Sequence, residues 1–189
     1  KQTPSQEEID EVVTRVLEEI QQKKQRRRED SVEEEVEVEA VRTWSTRCLV
    51  VHKRRVDRAV EVCLNLIFFR QRWKWPLVIK DARPIEDALR SGMHTVLPGR
   101  DRLGRRVVTY SAAALSSYRR PIGELQQMMC FLLERLVEEE QTQQVGVTFL
   151  VDLSGASLKT LRSLGLEDVR RGMDMLTDSF PCRLRAVYV

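Results

Sequence analysis

The chain has 189 residues, 42% of them hydrophobic and 32% charged, with a formal net charge of +3. That is enough for one moderate core plus a helical appendage, and too weak a charge balance to imply nucleic acid as a partner. No apolar run approaches the ~20 residues of a bilayer span.

The charges fall in blocks. Residues 23–28 and 53–58 are basic and residues 29–39 are acidic, a pattern that suits solvated helix faces and a linker. The four cysteines, Cys48, Cys63, Cys130 and Cys182, are widely spaced with no C-x-x-C pair. Cys48, Cys63 and Cys130 sit among apolar residues and read as reduced, buried thiols of a cytoplasmic protein. The opening residues, Lys1-Gln-Thr-Pro-Ser5, carry no signal-peptide pattern, and without an initiator Met they say nothing of what precedes them.

Ser5 and Glu8 have capping-box spacing, and Ile9, Val12, Val13, Val16, Leu17 and Ile20 follow at helical intervals. This predicts an amphipathic helix to about Lys24, then a charged linker through Glu39. Trp44, Cys48, Leu49 and Val51 form one face of a second helix. Asp57 is expected to cap a third, which Trp75-Pro76 should end. A short helix spans Ile85 to Leu89, with Ser91-Gly92 at its end. Thr95 to Leu97 and Arg105 to Tyr110 then read as a hairpin around the turn Asp101-Arg-Leu-Gly104.

Pro121 suits the first turn of a helix predicted to reach Glu140. Its centre, Met128 to Leu133, is apolar almost all round, so it must be covered on more than one side. A strand from Val147 to Val151, helices from Ser157 to Met175 and a strand from Leu184 to Val189 follow. That strand–helix–strand order builds a parallel sheet.

No catalytic or metal constellation emerges. Gly99-x-x-x-x-Gly104 has P-loop spacing, but Arg105 and Arg106 stand where Lys and Ser or Thr are needed, and a strand follows where a helix should begin. Asp152 and Ser154 sit at the carboxyl end of a strand, where α/β ligand sites lie, yet bonds to backbone in a turn or a cap explain them better. The two histidines, His52 and His94, precede the main strands and share no ligand spacing with a cysteine or carboxylate. The basic stretch with Lys53, Arg54, Arg55 and Arg58 suits phosphates of lipid or nucleic acid, although a plain solvated helix edge explains it without a function.

The segment Arg47-Cys-Leu-Val-Val-His-Lys-Arg-Arg-Val-Asp-Arg-Ala59 resembles the R-F-L-R-A-R-K-F-D-V-D-R-A motif of the CRAL-TRIO lipid-binding domains. Asp101-x-x-Gly-Arg-x-Val107 is similar to the family's D-x-x-G-R-P-V hairpin, with Arg106 in place of proline. Val-Asp-Leu-x-Gly155 and Asp178-Ser-Phe-Pro-x-Arg-Leu184 are similar to its central strand and its D-S-Y-P-E-R-L signature. Two charges replace an aromatic and an acid in the first motif.

The resemblance implies an α/β fold: a helical N-terminal subdomain before a mixed, largely parallel sheet cage flanked by helices. The expected segments are 1–40 (helix and linker), 41–92 (helical subdomain) and 93–189 (the first part of the cage). The family continues with further strands and a gate helix, so the cage is expected to be incomplete at Val189. Implied is a non-enzymatic binder of one hydrophobic lipid, a phosphoinositide or isoprenoid-type molecule, with no other cofactor, no metal and no nucleic acid. Tyr110, Met129, Leu133, Phe149 and Val151 are the expected lipid contacts, although ordinary core packing uses the same residue types. Lys53, Arg54, Arg55 and Arg58 would meet a peripheral membrane surface. The alternative is a membrane-targeting or protein-interaction module within a larger signalling protein.

Overall fold

The computed structural model describes residues 3–27, 37–156, 165–177 and 180–189. The chain divides into two compact units, Lys1–Val78 with Thr177–Pro181, and Ile79–Leu176 with Cys182–Val189.

The first unit packs three helices, α1 (Gln6–Arg27), α2 (Val38–Val51) and α3 (Val56–Arg72). The expected capping box forms: the Glu8 amide donates to Ser5 Oγ at 3.2 Å, and the Ser5 amide donates to the Glu8 carboxylate at 2.8 Å. Val12, Val16, Trp44, Cys48, Leu49, Cys63 and Leu66 are completely shielded from water. Each such aliphatic side chain contributes ~1.5–3 kcal/mol, so burial rather than helix propensity holds these helices. Trp44 donates its indole N–H to the Leu77 carbonyl at 3.0 Å and meets the Phe180 ring edge-on at 5.5 Å.

Two details differ from the sequence expectation. Asp57 does not cap α3. Arg55 takes that position without a side-chain bond, and Asp57 instead accepts from Arg15 of α1 at 2.9 Å. Nor does α3 run to Pro76. It ends on a Schellman motif, with Lys74 at a φ of 53°, its amide bonded to Gln71 and the Trp75 amide bonded to the Arg70 carbonyl. The same device ends α2: Lys53 has a φ of 55°, its amide bonds to Val50, and the Arg54 amide bonds to Leu49 at 2.7 Å. Most proteins place glycine at this left-handed position, which is why the stops escape a search for glycine and proline.

The second unit begins earlier than Gly92. A 3-10 turn (Arg83–Ile85) and α4 (Glu86–Arg90), read from sequence with the helical lead-in, pack here instead. Ile85 and Ala88 join Met93, Leu125 and Met128 in one buried cluster, and the fully buried Glu134 carboxylate accepts from the Ile79 amide at 2.9 Å. Then follow β1 (His94–Arg100), β2 (Arg106–Ser111), α5 (Ala112–Ser117), α6 (Ile122–Leu136), α7 (Glu140–Val145), β3 (Val147–Asp152), α8 (Leu166–Thr177) and β4 (Leu184–Tyr188).

The strands form an open mixed sheet in the order β1-β2-β3-β4, with the first pair antiparallel and the others parallel. This is the expected α/β class. Helix α6 stops at Leu136, short of Glu140, and the break sets Glu139 against Arg100 and Arg106. Those arginines tie the hairpin to the helical layer, and the Arg106 pair holds the Glu139 carboxyl well down, at about 2. Gly146 turns α7 into β3 at a φ of 89°; a Cβ there would meet the Arg183 carbonyl oxygen at 2.2 Å, so no other residue fits. The expected helix start at Ser157, with Asp178 and Ser179 of the signature, lies outside the described residues.

Candidate functional site

Strand pairing aligns His94 with Tyr110, and Tyr110 with Val151, in one row across β1, β2 and β3. Side chains two residues apart on a strand share a face, so Phe149 lies on the same side as Val151. On β4 a bulge between the pairs Val147–Leu184 and Thr148–Ala186 shifts the alternation by one. Leu184 and Val187, three residues apart, therefore both reach the face that carries Phe149.

Above this face a cavity of about 350 Å³ remains. Helix α6 contributes Leu125, Gln126 and Met129, and α8 contributes Gly172 and Met175. The two helices are joined by Cys130 and Met175, whose sulfurs lie 3.2 Å apart, and by Gln126, whose amide donates to the Asp168 carbonyl at 2.6 Å. The doubly apolar centre of α6 is thus explained. Met128 packs in the cluster with Ile85 and Ala88, while Met129 borders the cavity.

Of the residues singled out from sequence, Tyr110, Met129, Phe149 and Val151 border this cavity. Leu133 does not: it is 3% exposed and buried in the core, one turn beyond the cavity's reach along α6. Leu125, the turn on the other side of Met129, takes the place expected of it. Lys53, Arg54, Arg55 and Arg58 lie in the first unit, around the turn between α2 and α3. There Arg54 pairs with Glu8 at 2.8 Å and Arg58 with Glu61 at 2.6 Å, while Lys53 and Arg55 are exposed.

Eight further bordering residues were not singled out from sequence, and among them His94 carries the titratable ring. His94 opens β1 facing the cavity, its ring 5.4 Å from Tyr110 and 6.5 Å from Phe149, centroid to centroid. Burial lowers its pKa to about 4, opposed by a hydrogen bond to the Thr109 backbone, so the ring is neutral at pH 7. Burial likewise raises the Tyr110 phenol. The signal was a histidine in an otherwise apolar strand face; weighing histidines only as metal ligands or bases passes over it.

Asp152 and Ser154 turn out to bond to each other: the Ser154 amide donates to Asp152 Oδ1 at 2.8 Å, and the hydroxyl contacts the same oxygen. That is turn geometry. Gly104, with a φ of 77°, closes the hairpin rather than a phosphate loop, and Asp101 accepts from the Leu103 and Arg105 amides, each at 2.9 Å. All four cysteines are free thiols, with Cys48, Cys63 and Cys130 buried. Among the described residues no group of three or more metal-ligating side chains occurs, and no helix is long and apolar enough to cross a membrane.

Comparison with known proteins agrees with this architecture. The human alpha-tocopherol transfer protein-like sequence is 33% identical over 145 residues, 76% of this chain and 42% of that protein. Clavesin-1 of Xenopus laevis is 31% identical over 104 residues, 55% of this chain and 31% of the relative. Human tyrosine-protein phosphatase non-receptor type 9 is 26% identical over 149 residues, 77% of this chain and 24% of the enzyme. The chain thus spans less than half the length of each. The CRAL/TRIO domain model matches residues 90–189, the stretch that builds the sheet and the cavity; the chain belongs to the CRAL/TRIO family.

Proposed function

We propose that the protein binds a hydrophobic lipid in the cavity between the sheet face and helices α6 and α8, and carries or presents it at a membrane surface. The observation behind this is the cavity itself: about 350 Å³ bordered by Met129, Phe149, Val151 and Met175, side chains that a packed core would have brought together. Burying hydrocarbon there yields ~0.8 kcal/mol per CH₂, ample for a long chain. The relative named for tocopherol transfer supports the same class of ligand. The role is one of binding, with Tyr110, Met129, Phe149 and Val151 as lipid contacts and no cofactor besides the lipid. Exposed Lys53 and Arg55 are the residues suited to an anionic membrane surface, and the free thiols fit a cytoplasmic setting.

Organic extraction of freshly purified protein, followed by lipid mass spectrometry, tests this. One lipid class near unit stoichiometry is expected. An extract that is empty or mixed in class, from folded protein, would count against it.

The match to a tyrosine phosphatase favours a second reading, in which the fold targets a larger signalling protein to membranes. Transfer of a fluorescent lipid between vesicles separates the two. Transfer supports the carrier; retention on anionic vesicles without transfer, lost in a Lys53→Glu/Arg55→Glu variant, supports targeting.

A further inference from the structure

Hydrocarbon burial leaves one wall residue of the cavity unexplained. Gln126 is engaged at both ends of its amide, donating to the Asp168 carbonyl and accepting from Arg171 at 3.0 Å. His94 is different. Its ring meets the Thr109 backbone, yet its Nδ1 is buried and has no hydrogen-bond partner among the described residues. Buried polar atoms are almost always paired, and each exception calls for an explanation. The ring is held in place by its contacts with Tyr110 and Phe149, so turning it out to water would break the aromatic cluster. Among the described residues bordering this cavity there is no lysine or arginine.

We propose that His94 reads the polar end of the ligand: a lipid with a hydroxyl head enters with that head toward the imidazole and hydrogen-bonds to it, whereas a phosphate or carboxylate head is rejected. This rests on the lipid-binding function proposed above. With the ring's one proton on Nε2, Nδ1 is a buried acceptor, and a hydroxyl donates to it. An ether accepts but offers no proton. An anionic head would lose its hydration with no cation among the described wall residues to meet it.

Calorimetric titration with dodecanol, dodecyl methyl ether and dodecyl phosphate tests the assignment, since the three share one tail. The wild-type protein should bind the alcohol about tenfold more tightly than the ether, the worth of one hydrogen bond, and the phosphate most weakly. His94→Phe keeps a ring beside Tyr110 and Phe149; it should hold the ether as before and bind the alcohol no better. His94→Gln retains hydrogen-bonding groups and should keep part of the preference. Tyr110→Phe alters the lipid wall itself, so it should shift both affinities together without abolishing the preference.

Equal binding of alcohol and ether by the wild type overturns the proposal, as does a preference that survives in His94→Phe, one that vanishes in Tyr110→Phe alone, or phosphate as the tightest ligand. Should His94→Phe lose both ligands, His94→Gln decides: an undiminished preference there overturns the assignment, and a smaller one sustains it. If the wild type binds none of the three, lipid binding itself falls and the role of His94 with it; if alcohol and ether bind alike, only the role of His94 falls.

Discussion

The helical unit and the sheet unit bury the same kinds of side chain to nearly the same depth, and do different things with them. In the first, Val12, Val16, Trp44 and Leu66 are 0% exposed and surrounded by one another. In the second, Met129 is 5% and Phe149 7% exposed, almost as dry, yet both border open volume. Exclusion of water and contact with other atoms are separate quantities. The hydrophobic effect rewards the first, and dispersion rewards only the second. A side chain on a cavity wall has the first and lacks part of the second, and that shortfall is what a ligand can supply.

Adjacent methionines on α6 put this contrast to the test. Met128 is 0% exposed inside the cluster with Ile85 and Leu125, whereas Met129 faces the cavity. Met128→Ala should cost about 2–5 kcal/mol in urea denaturation, the range for truncation in a packed core. Met129→Ala should cost only about 1 kcal/mol, since fewer contacts are there to lose. Equal losses would mean that the cavity wall is packed like the rest.

Acid should strike the second unit through His94. Its pKa is about 4 when folded, against 6.5 ordinarily, so between those values the unfolded chain takes a proton that the folded one refuses. Stability therefore falls as pH drops from 6.5 to 4, by on the order of 3 kcal/mol in all. The His94→Phe variant should lack this loss in a pH series of denaturation curves.

A smaller effect belongs to Glu139, whose carboxyl Arg106 holds at about 2. A carboxylate with a lowered pKa stabilises above its ordinary value of 4.5 and loses that contribution as pH falls toward 2. Glu139→Gln should cost about 1–2 kcal/mol at pH 7 and almost nothing near pH 2, a difference readable from thermal melts. Smallest is a gain in the helical unit: Lys74→Gly, at a φ of 53°, should stabilise it by about 0.5–1 kcal/mol in the same assay.

Features written in local chemistry are legible in the sequence. The Ser5–Glu8 capping box, the Asp101–Gly104 turn and the strand ending at Asp152 each depend on residues within a few positions of one another. That the centre of α6 is covered on more than one side was legible too, because Met128 to Leu133 is apolar almost all round. The direction of the cavity along that helix was not. Met129 with Leu133 and Met129 with Leu125 are equivalent by period, and the choice depends on where Gly172 and Met175 of α8 come to lie. His94 was invisible for a related reason: its significance comes from having no partner, which only three-dimensional packing can show. Glu139 likewise looked like one more acid on a helix face until the break after Leu136 set it against two arginines.

The bulge in β4 has a practical consequence for anyone editing this chain. It works as a spare position in the strand. Loss of Arg185 would restore regular alternation and still leave Leu184 and Val187 opposite Val147 and Phe149. Loss of Val187 would instead bring Tyr188 opposite Phe149, placing a phenol where the wall is now aliphatic. Two deletions of equal length, two residues apart, would leave one chamber nearly unchanged and the other with a new chemical lining.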